Sequence, residues 1–362
     1  MLSKWLLTII FFFLVSLSSS KLLAEPQRCY PKLWDVNNEV WSQISSKNDK
    51  MISKLKKSAR KYLAQEPNPI MVLGSAGKTS INDPSLKKSR KGFQDADHAA
   101  VLSLLYILTS NPIYFNKARD ILLAWATINK PTGNPIDESR LEGMVWAYDL
   151  LTCQLAENDK IQIEHWLETI RQKKLTWHYG ASSGINNHRI HQLKMLLLLD
   201  KVLNHAGQWE RDLASAKKYS LINVDSKTGE SVDYRQRHAL HYHNYTLKAW
   251  LEISLITGCC QKPVTQAFNF LIERIRSNQI DGEFLNSEAK IDGERADGGF
   301  DYAKQGGTFD IREAIMPIVT YYTLETGKPD DDLWTLVHGS KPSPWLSFLL
   351  ARRMIWQSGN TS

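Results

Sequence analysis

The chain has 362 residues, 43% of them hydrophobic and 23% charged, which excludes a disordered or fibrous protein and leaves ample length for a large core with a buried site. Lysine and arginine number 45 against 38 acidic residues, a net charge of +7 spread along the chain that favours an acidic partner without forming a nucleic-acid-binding stripe.

The N-terminus carries Lys4, then the apolar run Leu6 to Leu17, then Ser18, Ser19 and Ser20. This order of charge, apolar core and small polar exit predicts a secretory signal over residues 1–24, cleaved after Ser20 or Ala24, and a periplasmic or secreted product. The run is short for a membrane span, which needs about 20 apolar residues, so no stable insertion is expected after cleavage. The cysteines, Cys29, Cys153, Cys259 and Cys260, show no CxxC and no metal spacing. Free thiols or one bridge are expected, and no metal or other cofactor. Gly74 to Thr79 falls short of the phosphate-loop spacing, and Lys87-Lys88-Ser89-Arg90-Lys91 is too short a basic run for nucleic acid.

From residue 95 onward apolar residues recur at three and four through residues 95–111, 114–128, 138–151, 160–170, 191–207, 242–258, 264–275 and 309–327. Breaking signals at Asn111-Pro112, Pro131 to Pro135, Gly207, Gly258 and Gly327-Lys328-Pro329 separate them, which predicts ten to twelve helices and scarcely a strand. In the segment Ile190 to Leu199 the apolar residues wrap most of the circumference, the mark of a helix enclosed on nearly all sides. Such a helix fits the inner wall of a double ring better than an irregular bundle. Residues 25–362 show no linker-like break and read as one domain.

Two segments concentrate ionisable groups. Trp177 to Arg189 is a Gly/Ser loop entering the buried helix, which puts Asn186, Asn187 and His188 near a helix N-terminus where unpaired N–H groups favour an anion. Helix capping by an asparagine explains the same residues without function. The second, Tyr234 to Lys248, reads as one helix with Arg237, His238, His241, Tyr245 and Lys248 on a single arc opposite Leu240, Leu247 and Leu251. Three histidines and neighbouring tyrosines are denser than a hydrated face requires. No HExxH or GxSxG pattern accompanies either segment.

The chain resembles the alginate lyase superfamily of polysaccharide lyases at Asn186-Asn187-His188, at the Arg237 to Tyr245 segment, at the Pro131 to Ile136 turn, and at Arg140-Leu141-Glu142 with Ala147 to Leu151. A looser likeness covers Gly282 to Ser287. Arg189-Ile190-His191 stand where alginate-cleaving members commonly carry an aromatic pair. The resemblance implies an all-α (α/α) toroid, an incomplete double-ring helical barrel, and a metal-independent lyase cutting alginate or a related polyuronate by β-elimination. It assigns Asn187, His188 and Arg237 to neutralising the uronate carboxylate and Tyr245 to proton transfer, with its phenol lowered by a neighbouring cation. Lys78, Trp177, Tyr179, Asn186, His241 and Tyr242 are the expected sugar-binding residues. The expected partner is an acidic polysaccharide and the expected state a monomer. Two alternatives stay open: a non-catalytic glycan-binding protein on the same fold, and a helical-toroid hydrolase using carboxylates among Glu283, Asp292 and Glu294.

Overall fold

A computed structural model describes residues 31–33, 38–47, 49–180 and 183–325. The signal segment at 1–24, Cys29 and the Gly327 break lie outside the described residues.

Thirteen α-helices are described: α1 (Asn38–Lys47), α2 (Asp49–Leu63), α3 (Pro84–Thr109), α4 (Pro112–Ile128), α5 (Glu142–Leu151), α6 (Glu157–Leu175), α7 (Asn187–Val202), α8 (Ala206–Asn223), α9 (Val232–Arg237), α10 (Leu240–Thr257), α11 (Gln261–Arg276), α12 (Lys290–Asp297) and α13 (Ile315–Glu325). The strands among the described residues are β1 (Asp281–Glu283) and β2 (Gly307–Thr308), an antiparallel pair.

From α3 onward the helices alternate between two walls. Helices α3, α5, α7, α10 and α13 touch in succession, while α4, α6, α8 and α11 lie outside them, each packed on an inner neighbour. Burial separates the walls. Every residue of α5 but the first is buried, and so is nearly all of α7, whereas α8 buries only Ala216, Ser220 and Asn223. The enclosed helix expected at Ile190 to Leu199 is therefore an inner helix of an (α/α) toroid.

Close approach fixes the inner wall. Gly143 faces the Ala96 carbonyl, and a Cβ there would come within 2.3 Å of that oxygen, so a side chain would force α5 away from α3. No described helix is long and apolar enough to cross a membrane. Cys153 is disulfide-bonded, and Cys259 and Cys260 are free thiols.

Candidate active site

Short polar contacts assemble the site from the starts of α7 and α10 and from three connecting segments. Asn186 caps α7, its side-chain oxygen accepting from the His188 N–H. The next residue is pinned by a different group: buried Asp233 accepts from both the backbone N–H and the side-chain amide of Asn187, and also from the Thr246 hydroxyl at 2.7 Å. One carboxylate thus ties α9, α7 and α10 together at the point where Asn187 enters the cleft.

The segment from Tyr234 to Lys248 is not one helix. His238 adopts φ 48°, ends α9 and is exposed, and α10 begins anew at Leu240. The break is stabilised from a distance: Glu283 accepts from the N–H groups of Leu240 and His241, two donors that a helix start leaves unpaired. His238 therefore drops out of the expected polar arc, while Arg237 and Tyr245 reach the same cleft from two helices.

The Pro131 to Ile136 turn has a structural task. Glu138 accepts from the N–H groups of Thr132 and Gly133, and Asp137 accepts from the N–H groups of Ser75 and Ala76 at 2.8 and 2.9 Å. These contacts hold the Ser75 to Lys78 loop and present Arg140 beside it.

The result is a cavity of about 300 Å³ whose wall includes Asn187, His188, Arg237 and Tyr245. Lys78, His241 and Tyr242, expected as sugar-binding residues, also line it. Asn186, Trp177 and Tyr179 are not on its wall. Asn186 is buried as the α7 cap, and Tyr179 lies under the Arg189 guanidinium, 4.2 Å from its ring centre. Tyr179 is drawn into packing around Arg189 and away from the cleft.

Four further residues on the wall come into view only with the fold: Arg90, Arg140, Arg295 and Tyr302. Arg295 donates to the Tyr242 hydroxyl and to the Lys78 carbonyl, and Tyr302 stacks on His241 with ring centres 4.2 Å apart. Of these, only Arg140 sits in a segment that resembles the family.

The cations differ in how free they are. Arg237 is paired with buried Asp292 and lies over the Tyr242 ring at 3.9 Å, and Lys78 is 3.3 Å from Asp83. Arg90, Arg140 and Arg295 have no carboxylate partner among the described residues, and no acidic side chain lines the cavity.

Electrostatics sort the proton-transfer groups. Burial, with Arg237 and Arg295 close by, holds His188 down to about 4, so its imidazole is neutral at ordinary pH. Burial pushes the Tyr245 phenol up, against the opposing pull of Arg140 and Lys194. This reverses the expected lowering: desolvation of the phenolate outweighs the neighbouring cations. His243, buried between Ser231 and the Ala267 carbonyl, belongs to the core. The carboxylates considered for hydrolysis are occupied elsewhere, Glu283 in capping α10, Asp292 on Arg237 and Ser287, and Glu294 with Lys290 at 3.4 Å. Among the described residues no group of three or more His, Cys, Asp or Glu is placed to hold a metal ion.

A double-walled helical ring with a cationic cleft at the starts of its inner helices is the fold of the alginate-lyase type of polysaccharide lyase. The chain belongs to the alginate lyase family, whose family model matches residues 39–258. Among solved structures it is similar to a variant of alginate lyase A1-III in its apo form, at 14% identity and a TM-score of 0.63, covering 89% of this chain and 96% of that one. An alginate lyase from Bacteroides ovatus matches at 15% identity and a TM-score of 0.61, over 90% and 99% of the two chains. Alginate lyase A1-III from Sphingomonas species A1 matches at 15% identity and a TM-score of 0.59, over 89% and 96%. No curated protein matches the chain.

Proposed function

We propose that the protein is an exported polysaccharide lyase that cleaves alginate or a related uronate-containing polymer by β-elimination at a 4-linked uronic acid. The observation that carries this reading is the single cavity that gathers Asn187, His188, Arg237 and Tyr245 with three further arginines and no carboxylate on its wall. Two variants of alginate lyase A1-III, similar to this chain at 14% and 13% identity, are known in complex with a tetrasaccharide.

The chemistry follows from the charges. The C5 proton of a uronate is weakly acidic because the adjacent carboxylate is already negative. Donors from Asn187 and cations from Arg140, Arg237 and Arg295 neutralise that carboxylate and stabilise the charge that spreads onto it as the proton leaves. Neutral His188 takes the C5 proton, the electron pair forms the C4–C5 double bond, and the C4–O4 bond breaks. Tyr245, protonated at ordinary pH, donates its proton to the departing oxygen. A route in which Tyr245 performs both transfers would first require removal of the proton that burial holds in place. Export to the periplasm or medium, and action as a monomer, complete the proposal.

Purified protein incubated with alginate and glucuronan should produce rising ultraviolet absorbance from unsaturated ends. Saturated products would establish hydrolysis instead, and binding without any product would establish a glycan-binding protein.

A further inference from the structure

The cleft continues past Tyr245. A second cavity of about 440 Å³ shares Arg90, Phe93, Arg140 and Tyr245 with the first and extends between α3, α5, α7 and α10. Its charge is of another kind. Lys194 is clasped between Glu142 and Glu252, and Lys248 stands 3.8 Å from a carboxylate oxygen of each, so these lysines and glutamates cancel. Burial alone would discharge Lys194, but the two glutamates outweigh it.

Asp97 is then the one wall carboxylate of this cavity outside that group. It is solvent-accessible, and no ion pair or hydrogen bond ties it up among the described residues. Lys248, Arg140 and Glu142 are the charged groups that act on it. Tyr62, Phe93 and Trp146 supply an apolar wall beside it. A uronate seated here would meet Asp97, and the cations beyond the two arginines at the shared neck, Lys194 and Lys248, are already held by Glu142 and Glu252. A neutral pyranose could lay its apolar face on the aromatic side chains, and an amine could pair with Asp97.

Tyr245 stands at the junction, so the oxygen it protonates would join a unit in the first cavity to a unit in the second. We infer that the sugar across the scissile bond from the uronate carries no carboxylate, and that the natural substrate alternates a 4-linked uronate with a neutral or amino-bearing sugar. This rests on the lyase reading and narrows its substrate class.

The test compares kcat/KM, followed by absorbance of unsaturated ends, on two groups of polymers. The homopolymers are polymannuronate, polyguluronate and glucuronan. The second group, treated together as alternating at the scissile bond, is heparosan, its N-deacetylated form and deacylated gellan, whose single uronate per repeat carries a neutral glucose on O4; they separate an acetamido, an amino and a neutral neighbour. At least a tenfold preference for an alternating polymer is expected, and Asp97→Lys should erase it by improving the homopolymers. Equal or faster cleavage of a homopolymer by the unaltered protein overturns the inference and leaves the lyase reading intact. Absorbance with none of the six overturns both.

Discussion

The rings of His191 and Tyr245 lie against each other at the floor of the cleft, with centres 4.2 Å apart and planes inclined by 32°. His191 is buried, and neither of its ring nitrogens has a hydrogen-bond partner among the described residues. An imidazole in that position keeps the Tyr245 ring upright by contact alone. Burial, with Lys194, Lys248 and Arg140 nearby, holds it uncharged.

His191→Phe should therefore keep the stack and relieve the unpaired nitrogens, with stability unchanged or raised by about 1 kcal/mol. Urea unfolding checks this. A loss of more than about 1 kcal/mol would show that the ring nitrogens are paired in solution.

Tyr245→Phe should lower kcat on a cleaved polymer by about 10²- to 10⁴-fold, the usual contribution of a positioned acid or base, while leaving substrate affinity near that of the unaltered protein. Single-turnover absorbance and calorimetric binding separate the two effects. Retained turnover would remove the phenol from the reaction.

Arg237 and Arg140 should respond differently to the same change. Arg237→Met strands buried Asp292 without its cation and should cost about 3 kcal/mol of stability together with activity. Arg140 is exposed within the cleft and has no carboxylate partner among the described residues, so Arg140→Met should reduce kcat/KM with little change in the unfolding midpoint. Thermal melts beside rate assays decide the matter.

The pH dependence has a definite sign. His188, His98 and His243 are each held down to about 4, chiefly by burial, against 6.5 for an ordinary histidine. The unfolded chain binds more protons than the folded one between those values, so stability should fall as pH drops from 6.5 towards 4. His188→Gln should shallow that slope in a series of melts. If His188 is the base, the acid limb of kcat/KM should lie near pH 4 rather than near 6.5.

The cysteines give a chemical check. Alkylation of unfolded, unreduced protein should label Cys259 and Cys260 and spare Cys153, which should become reactive only after reduction. Peptide mass spectrometry reads the pattern.

Much of this architecture is legible in the residues themselves because it is local. The apolar sheath from Ile190 to Leu199 marks an inner helix, and Asn186-Asn187-His188 marks the start of it. What local pattern cannot show is contact across the ring. The helical period runs without interruption through His238, and the break there depends on Glu283, 43 residues beyond Leu240. Arg90 and Arg295 read as ordinary surface charge until folding turns them towards Tyr245. Trp177 and Tyr179 err in the other direction, since aromatic residues in a loop beside a site look like a sugar platform until Arg189 claims Tyr179.

The match to the family model ends at residue 258, yet the helix bearing Tyr245 is fastened at its outset by Glu283, and the pocket is walled by Arg295 and Tyr302. The hallmark segment is thus dependent on a stretch beyond that match, where the likeness is loose at best. Divergence among relatives could rework that stretch, altering what the cleft grips while the signature residues stay unchanged.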